Sequence, residues 1–256
     1  MPFTLAHPAA VLPLRHLRGL RTAPLVIGAM VPDAPYYLPE FLRLRVDTHS
    51  FAASYAFDLP LGLALLACTV LLREPLTALL PARARWQCLE ALEPLRRSPL
   101  EWLLAPFAIL LGVWTHLLWD SFTHGEGWAV QHIAVLRESV TIGDYSGEIN
   151  HILQYLSSAV GLAIVVLWYV RPSTPQTAQA EHEARRAHAG PGLLLIIGAA
   201  LLIGGVEALR YYLRSQGAIY RTIDELLTHG LAWFLLLDLF AGTIVTLEHR
   251  AARQPP

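Results

Sequence analysis

The chain has no lysine, two cysteines and few charges: 15% of its 256 residues are Asp, Glu, Lys or Arg, against about a quarter in an ordinary soluble domain. The missing lysine makes all 19 basic residues arginine. Genome composition accounts for that as well as function does, so it excludes nothing. Two cysteines, Cys68 and Cys88, exclude a disulfide framework and a cysteine metal site. Cys68 sits in an apolar run and reads as a small core residue. A net charge of −1 excludes nucleic acid as a partner. The N-terminal Met1-Pro2-Phe3-Thr4 has neither the basic region nor the cleavage site of a signal peptide, so the chain is expected to be retained whole.

What is abundant is apolar sequence. Hydrophobic residues make up 54% and mean hydropathy is +0.43. The apolar residues are clustered, and several runs approach the ~20 residues that cross a bilayer core. Clear spans are expected over about 55–72, 101–119, 152–170, 192–209 and 226–247. The third closes on Trp168, Tyr169 and Arg171, an aromatic and basic interface anchor. The stretch 22–38 is apolar but broken by Pro32-Asp33-Ala34-Pro35, where proline removes a helix bond and bends the chain. It is either a sixth span or a re-entrant piece. The fold class is therefore all-α, a polytopic transmembrane bundle of five or six spans, forming one integral membrane domain over 1–256.

Arginine placement orients the bundle. With six spans, Arg43, Arg45, Arg137, Arg210, Arg214 and Arg221 lie in outer loops and the other thirteen in inner ones. By the positive-inside bias both termini are then cytoplasmic. With five spans, Arg15, Arg18 and Arg21 change sides and the bias shrinks. The polar stretch 172–191 reads as a mobile cytoplasmic loop. Over 83–97, Trp86, Leu89, Leu92 and Leu95 recur at helical spacing, as in an amphipathic helix lying on the inner face.

Ionisable residues at membrane depth are costly, so they are functional candidates. His116, Asp120 and His124 stand at i, i+4 and i+8, along one helix face. Imidazole and carboxylate so spaced can hold a divalent metal. They can equally form a buried His–Asp hydrogen bond at a helix end. Gly125 weakens His124, because the helix can stop before it. Asp33 offers a further ligand or a cap at a helix break. His49, in Asp47-Thr48-His49-Ser50, offers a ligand or an interfacial histidine. His151 opens a span, with Gln154 on its side. In the arginine-based orientation Asp33, His49, His116, Asp120 and His151 share one depth. His7 joins them only if 22–38 is re-entrant.

The motifs Thr4-Leu5-Ala6-His7-Pro8, Ile27-Gly28-Ala29-Met30-Val31-Pro32-Asp33-Ala34-Pro35, Thr48-His49-Ser50 and His116-Leu117-Leu118-Trp119-Asp120-Ser121-Phe122-Thr123-His124 together resemble an uncharacterised bacterial membrane family, a domain of unknown function. That family is distantly similar to predicted membrane-bound metal-dependent hydrolases, and the His/Asp set is similar to that of zinc-dependent phospholipases C. The resemblance implies metal ligands at His7, Asp33, His49, His116 and Asp120, with His124 and His151 as further candidates. Asp120 and His124 are the residues expected to take part in the chemistry. The dense His/Glu set of a trinuclear phospholipase is missing, so one or two metals are expected, zinc first, with iron or manganese open. The loop 125–150 would act as a lid, with Arg137 available to a phosphate. The expected function is hydrolysis of a lipid or lipid-linked phosphoester at the outer face of the bacterial cytoplasmic membrane. Two other readings remain: a scaffold with a structural metal, and a proton-coupled transporter using Glu207, His229 and Asp238. No inverted repeat supports the transporter. Pairing of Glu207 with Arg210, and of Asp238 with a neighbouring helix, is the simpler account of those residues.

Overall fold

In a computed structural model of the chain, the structure describes residues 4–17, 19–37, 46–143, 145–170, 191–215 and 219–251. The polar stretch expected to form a mobile loop over 172–191 lies almost wholly outside them. The helices are α1 (Pro8–Val11), α2 (Thr22–Met30), α3 (Phe51–Ala53), α4 (Leu59–Leu71), α5 (Arg73–Thr77), α6 (Ala82–Arg97), α7 (Pro99–Thr123), α8 (Trp128–His132), α9 (Ile149–Val170), α10 (Pro191–Arg214) and α11 (Ile219–Ala251). One short hairpin, β1 (Ser139–Ile142) and β2 (Tyr145–Glu148), pairs Ser139 with Glu148 antiparallel. Among the described residues, five helices are long and apolar enough to cross a membrane: Phe51–Leu71, Pro99–His132, Ile149–Val170, Gly192–Arg214 and Glu225–His249. The chain is thus an all-helical polytopic membrane protein.

The segment 22–38 is not among those spans. Its helix, α2, has 9 residues, about 14 Å of rise against a core of about 30 Å. Pro32 and Pro35 then carry the chain into a 3-10 helix, Val31–Tyr37. The stretch is a short, proline-broken segment rather than one long apolar helix.

The contacts divide the chain into two compact units. The first comprises Met1–Pro35, Leu44–Leu66 and Ser98–Pro172. Its spine is α7, which starts with Pro99 at its first position, where a missing N–H costs nothing. α2 lies along α7 in the same direction. At one end the Arg21 guanidinium meets the Glu101 carboxylate through two bonds of 2.8 and 2.5 Å. Midway the backbones touch: a Cβ on Gly28 would fall 2.1 Å from the Ile109 carbonyl oxygen, and one on Gly112 2.4 Å from that of Leu25. Only glycine permits this approach, the small-residue packing used between membrane helices. α9 returns against α7, tied by Trp119 Nε1–H to Ser157 Oγ at 3.0 Å. Ala6 approaches Gly161 of α9, and Arg15 stacks over Trp168, 5.4 Å from the ring centre. The chain from Ala6 to Arg15 therefore descends along α9, and α2 climbs back along α7. Glu101 and Asp120 are separated by about 28 Å of helix, so Arg15 and Arg21 stand at the end of the unit opposite Asp120. Between α7 and α9, Ala129, Val130 and Leu136 form a small core with Ile149 and Leu153.

The second unit comprises Tyr36–Arg43, Ala67–Arg97 and Ser173–Pro256. Here α10 packs on α11, and α11 on α5. The amphipathic stretch is one helix, α6, burying Leu92 and Leu95. On its exposed side Arg96 and Arg97 both pair with Glu93 at 2.7 Å.

Candidate metal centre

Four donors converge at the C-terminal end of α7. Asp33, His49, His116 and Asp120 each offer one ligand atom, all within 4.8 Å of one another. His49 Nε2 lies 3.4 Å from Asp33 Oδ1 and 3.4 Å from Asp120 Oδ2. His116 Nε2 lies 3.2 Å from Asp120 Oδ2, 3.7 Å from Asp33 Oδ1 and 3.3 Å from His49 Nε2. The group is deeply buried: His116 is 0%, Asp33 1% and Asp120 5% exposed. Only the His49 side chain, at 27%, opens outward.

Three of the four ligands are aimed by a fixed partner. His116 Nδ1 is 2.8 Å from the Ala29 carbonyl oxygen. A carbonyl only accepts, so Nδ1 carries the hydrogen and Nε2 faces the group. His49 Nδ1 is 3.1 Å from Thr48 Oγ1, whose own hydrogen goes to the Pro32 carbonyl at 2.7 Å. Thr48 therefore accepts from Nδ1–H, and His49 also turns Nε2 inward. Asp33 Oδ2 accepts from Thr4 Oγ1 at 2.5 Å, leaving Oδ1 for the group. The chain supplies these partners by local punctuation. The proline break after α2 exposes the Pro32 carbonyl and places Asp33 just past the helix. Ser50 caps the next helix by accepting from Ala53 N–H at 3.2 Å, which fixes Thr48 and His49 just before it.

Charge balance decides what such a group needs. Two carboxylates and two imidazole nitrogens face each other with few hydrogens between them. Without a cation, protons fill the role. Burial opposes a charge on His49, but Asp120 and Asp33 outweigh it and push its pKa up to about 10. Burial likewise works to raise Asp33, yet the His49 hydrogen bond and the His116 charge hold it below the usual carboxylate range. A divalent ion would displace such protons. Neither Asp120 oxygen has a hydrogen-bond partner among the described residues.

His7 completes the group from the N-terminal segment. It is 1% exposed, and its ring stacks on His116 at 3.9 Å between centres. Its Nε2 is 3.6 Å from Asp120 Oδ1. Burial, then the His116 charge, hold its pKa down to about 4, so the ring is neutral. His124 leaves the helix in an extended conformation, yet its Nδ1 stays 3.5 Å from Asp120 Oδ1. His151 does not join. Asn150 and Gln154 take the buried side of α9, and His151, one residue on from Asn150, is exposed. Arg137 is also exposed, with the loop folded into α8, a 3-10 turn and the β1–β2 hairpin.

Asp58 is the residue that sequence reasoning missed. It is 0% exposed, and neither of its oxygens has a hydrogen-bond partner among the described residues. It ends a π-helical turn, Ser54–Asp58, a distortion that concentrates at functional sites. The charges reaching it are those of His49, His116 and Asp47. An acidic residue inside an apolar run was the available signal.

In the second unit, Glu207 pairs with Arg210 at 2.7 Å and His229 with Glu225 at 3.1 Å. Asp238 is 4% exposed, and its Oδ1 has no hydrogen-bond partner among the described residues, where a bond to a neighbouring helix was expected.

The architecture and the group define a polytopic helical membrane protein with a buried His/Asp cluster able to bind a metal ion. The chain belongs to the family described as domain of unknown function DUF4184, whose model matches residues 1–247. Neither a curated protein nor a solved structure matches it.

Proposed function

We propose that this protein is a membrane-bound metal-dependent hydrolase acting on a lipid or lipid-linked phosphoester. The observation that carries the metal is the spacing of the donors. A tetrahedral zinc with ligands at 2.0–2.2 Å has ligand–ligand edges of about 3.3–3.6 Å. Five of the six separations among the four donors run from 3.2 to 3.7 Å, and all six lie within 4.8 Å. The two nitrogens and two oxygens suit zinc, and also iron or manganese.

A divalent ion held there supplies Lewis acidity and makes bound water a stronger acid. The chain's own residues do the rest. Ala29 and Thr48 lock the two rings, Thr4 holds Asp33, and water reaches the group past His49. Asp58, buried without a hydrogen-bond partner among the described residues, would be the base available to a water held there. A lipid substrate fits the surroundings: Phe51 and Tyr55 are exposed beside His49 and lie against Trp114, with ring centres 5.9 and 6.1 Å from it, an aromatic set suited to the headgroup level. The arginine bias supports an outer-face position for this end of the bundle, in keeping with a bacterial cytoplasmic membrane protein.

A second reading, a scaffold with a structural ion, draws on the same geometry. Four protein ligands close a tetrahedron, as structural sites do, whereas catalytic zinc keeps a position open. The test is bound metal in detergent-purified protein, measured by mass spectrometry for the parent and for His116→Ala combined with Asp120→Ala. It is paired with hydrolysis of bis(p-nitrophenyl) phosphate and of phospholipid vesicles. One or more ions per chain that vanish in the double variant, with turnover, support the hydrolase. Metal without turnover favours the scaffold. No metal in the parent after reloading a chelated sample overturns both.

A further inference from the structure

The corner where α5 gives way to α6 is short of negative charge. Residues 72–89 hold three arginines, Arg73, Arg83 and Arg85, and one acid, Glu74. Glu74 Oε2 accepts from Arg85 Nη2 at 3.0 Å, and its Oε1 lies 3.8 Å from Arg73 Nε. Arg73 also turns Nη1 back to the Val70 carbonyl at 3.2 Å. That leaves Nε of Arg85, and both Nε and Nη2 of Arg83, buried and without a hydrogen-bond partner among the described residues. A guanidinium has donors only, and a buried charged donor left unpaired is costly. The same helix shows the contrast at its other end, where the exposed Arg96 and Arg97 share Glu93 at 2.7 Å. The first turn of α6 has no acidic residue, although a helix start favours one. The Arg83 atoms are also telling in kind. Nε and Nη2 form one edge of the guanidinium, and in Arg21 that same edge grips both Glu101 oxygens, at 2.8 and 2.5 Å.

We propose that the α5–α6 corner binds a phosphate oxyanion, that of an acidic phospholipid headgroup in the inner leaflet, with Arg83 and Arg85 as its donors. A phosphate offers two oxygens at the spacing of a carboxylate, so the free edge of Arg83 can hold it through two parallel bonds. Arg85 divides its donors: Nη2 stays with Glu74 and Nε serves the phosphate. Glu74 thus positions Arg85, and the three arginines still exceed it by two charges. Three features favour a lipid as the source. The arginine bias supports an inner-face position for this corner, and acidic lipids make that surface negative. Arg83 and Trp86 stand at i and i+3 on one side of α6, a basic and aromatic pair suited to the headgroup level. Basic pockets among membrane helices on that side suit such headgroups. The corner lies in the second unit and shares no residue with the four-donor group, so the inference does not rest on the metal reading.

The experiment titrates full-length protein in a neutral detergent with phosphatidylglycerol, phosphatidylcholine or inorganic phosphate. Bound lipid is counted by native mass spectrometry, and stability is read by thermal melting. The parent is expected to retain phosphatidylglycerol in preference to phosphatidylcholine and to melt higher with it. Arg83→Gln is expected to bind phosphatidylglycerol about fivefold less tightly, the contribution of one arginine at a membrane surface. Without lipid it should melt no lower than the parent, because a buried charge without a partner has been removed. Arg85→Gln should lose a similar factor, but it also breaks the Glu74 pair. Arg83→Gln, which breaks no such pair, keeps the test valid if the Arg85 variant fails to fold. Arg97→Gln, on the exposed side of α6, should bind as the parent does. Equal retention of the two lipids, or an equal loss with Arg97→Gln, overturns the site. Unchanged binding in Arg83→Gln overturns the assignment of its donors. Inorganic phosphate that raises the melting point through Arg83, where phosphatidylglycerol does not, overturns the lipid source and supports the oxyanion site alone.

Discussion

Thr48→Val tests whether the histidines are held as metal ligands. Valine keeps the shape of threonine and removes its hydroxyl. Two bonds go: the one that Thr48 Oγ1 accepts from His49 Nδ1 at 3.1 Å, and the one it donates to the Pro32 carbonyl at 2.7 Å. His49 is then free to rotate or to place its hydrogen on Nε2, where it blocks coordination. Loss of an outer partner of a metal-bound histidine typically costs 10- to 100-fold in affinity, about 1.4 to 2.8 kcal/mol. The stranded Pro32 carbonyl adds about 1–3 kcal/mol of folding cost, spread over the whole molecule rather than the ion. Affinity for Zn2+ is read by competition with a chromophoric chelator, and stability by thermal melting in the same detergent. Thr48→Ser keeps the hydroxyl and should bind within about threefold of the parent, a few tenths of a step on the scale where 1.4 kcal/mol is tenfold. A Thr48→Val protein that melts lower but binds Zn2+ as tightly as the parent would refute the idea that this hydroxyl sets the ring.

Gly112→Ala should push α2 off α7, because the new methyl meets the Leu25 carbonyl at 2.4 Å. About 1–3 kcal/mol of stability should be lost, together with bound metal, as read by melting and metal analysis. Zn2+ uptake by the stripped protein at pH 7.5 should release protons, since the metal-free His49 stays charged up to about pH 10 and must give up its proton to bind. Calorimetry in buffers of different ionisation enthalpy reads the number released, and affinity should weaken as pH falls. In the stripped protein, the His49 contribution to stability has the sign of a raised pKa. It is complete below about pH 6.5 and fades as pH rises through about 10. Asp58→Asn should keep its metal content and lose at least tenfold in phosphoester turnover. An unchanged rate would remove Asp58 from the chemistry.

The five spans were readable because each apolar run is local and long enough to declare itself. So was the shared face of His116 and Asp120, which follows from four residues of helix. The segment 22–38 was undecided because a proline break is compatible with either a kinked span or a turn back. What positions α2 is its packing on α7 through Gly28 and Gly112, a contact between residues far apart in the chain. The meeting of His7, Asp33 and His49 with α7 was likewise invisible to spacing: the arginine-based orientation brought Asp33 and His49 to the depth of His116 and Asp120, and the family resemblance added His7. The partners that aim the rings are backbone carbonyls of Ala29 and Pro32, and no side-chain pattern marks a carbonyl. His151 was misplaced by one residue of helix phase, about 100°, because Asn150 and Gln154 occupy the buried side of α9. The β1–β2 hairpin, four residues per strand, is too short to stand out from a polar loop.

The N-terminal hairpin has a consequence for how the protein is made. His7 and Asp33 are synthesised well before His116 and Asp120, on a segment whose α2 is too short to cross the bilayer by itself. That segment acquires its seat only when α7 offers Gly112 to Gly28 and Glu101 to Arg21. The order of assembly is therefore opposite to the order of synthesis: His7 and Asp33 are made before α7 and reach their places after it. An ion held by the four donors would have to follow insertion of the second long span, so its occupancy would report assembly of the first unit.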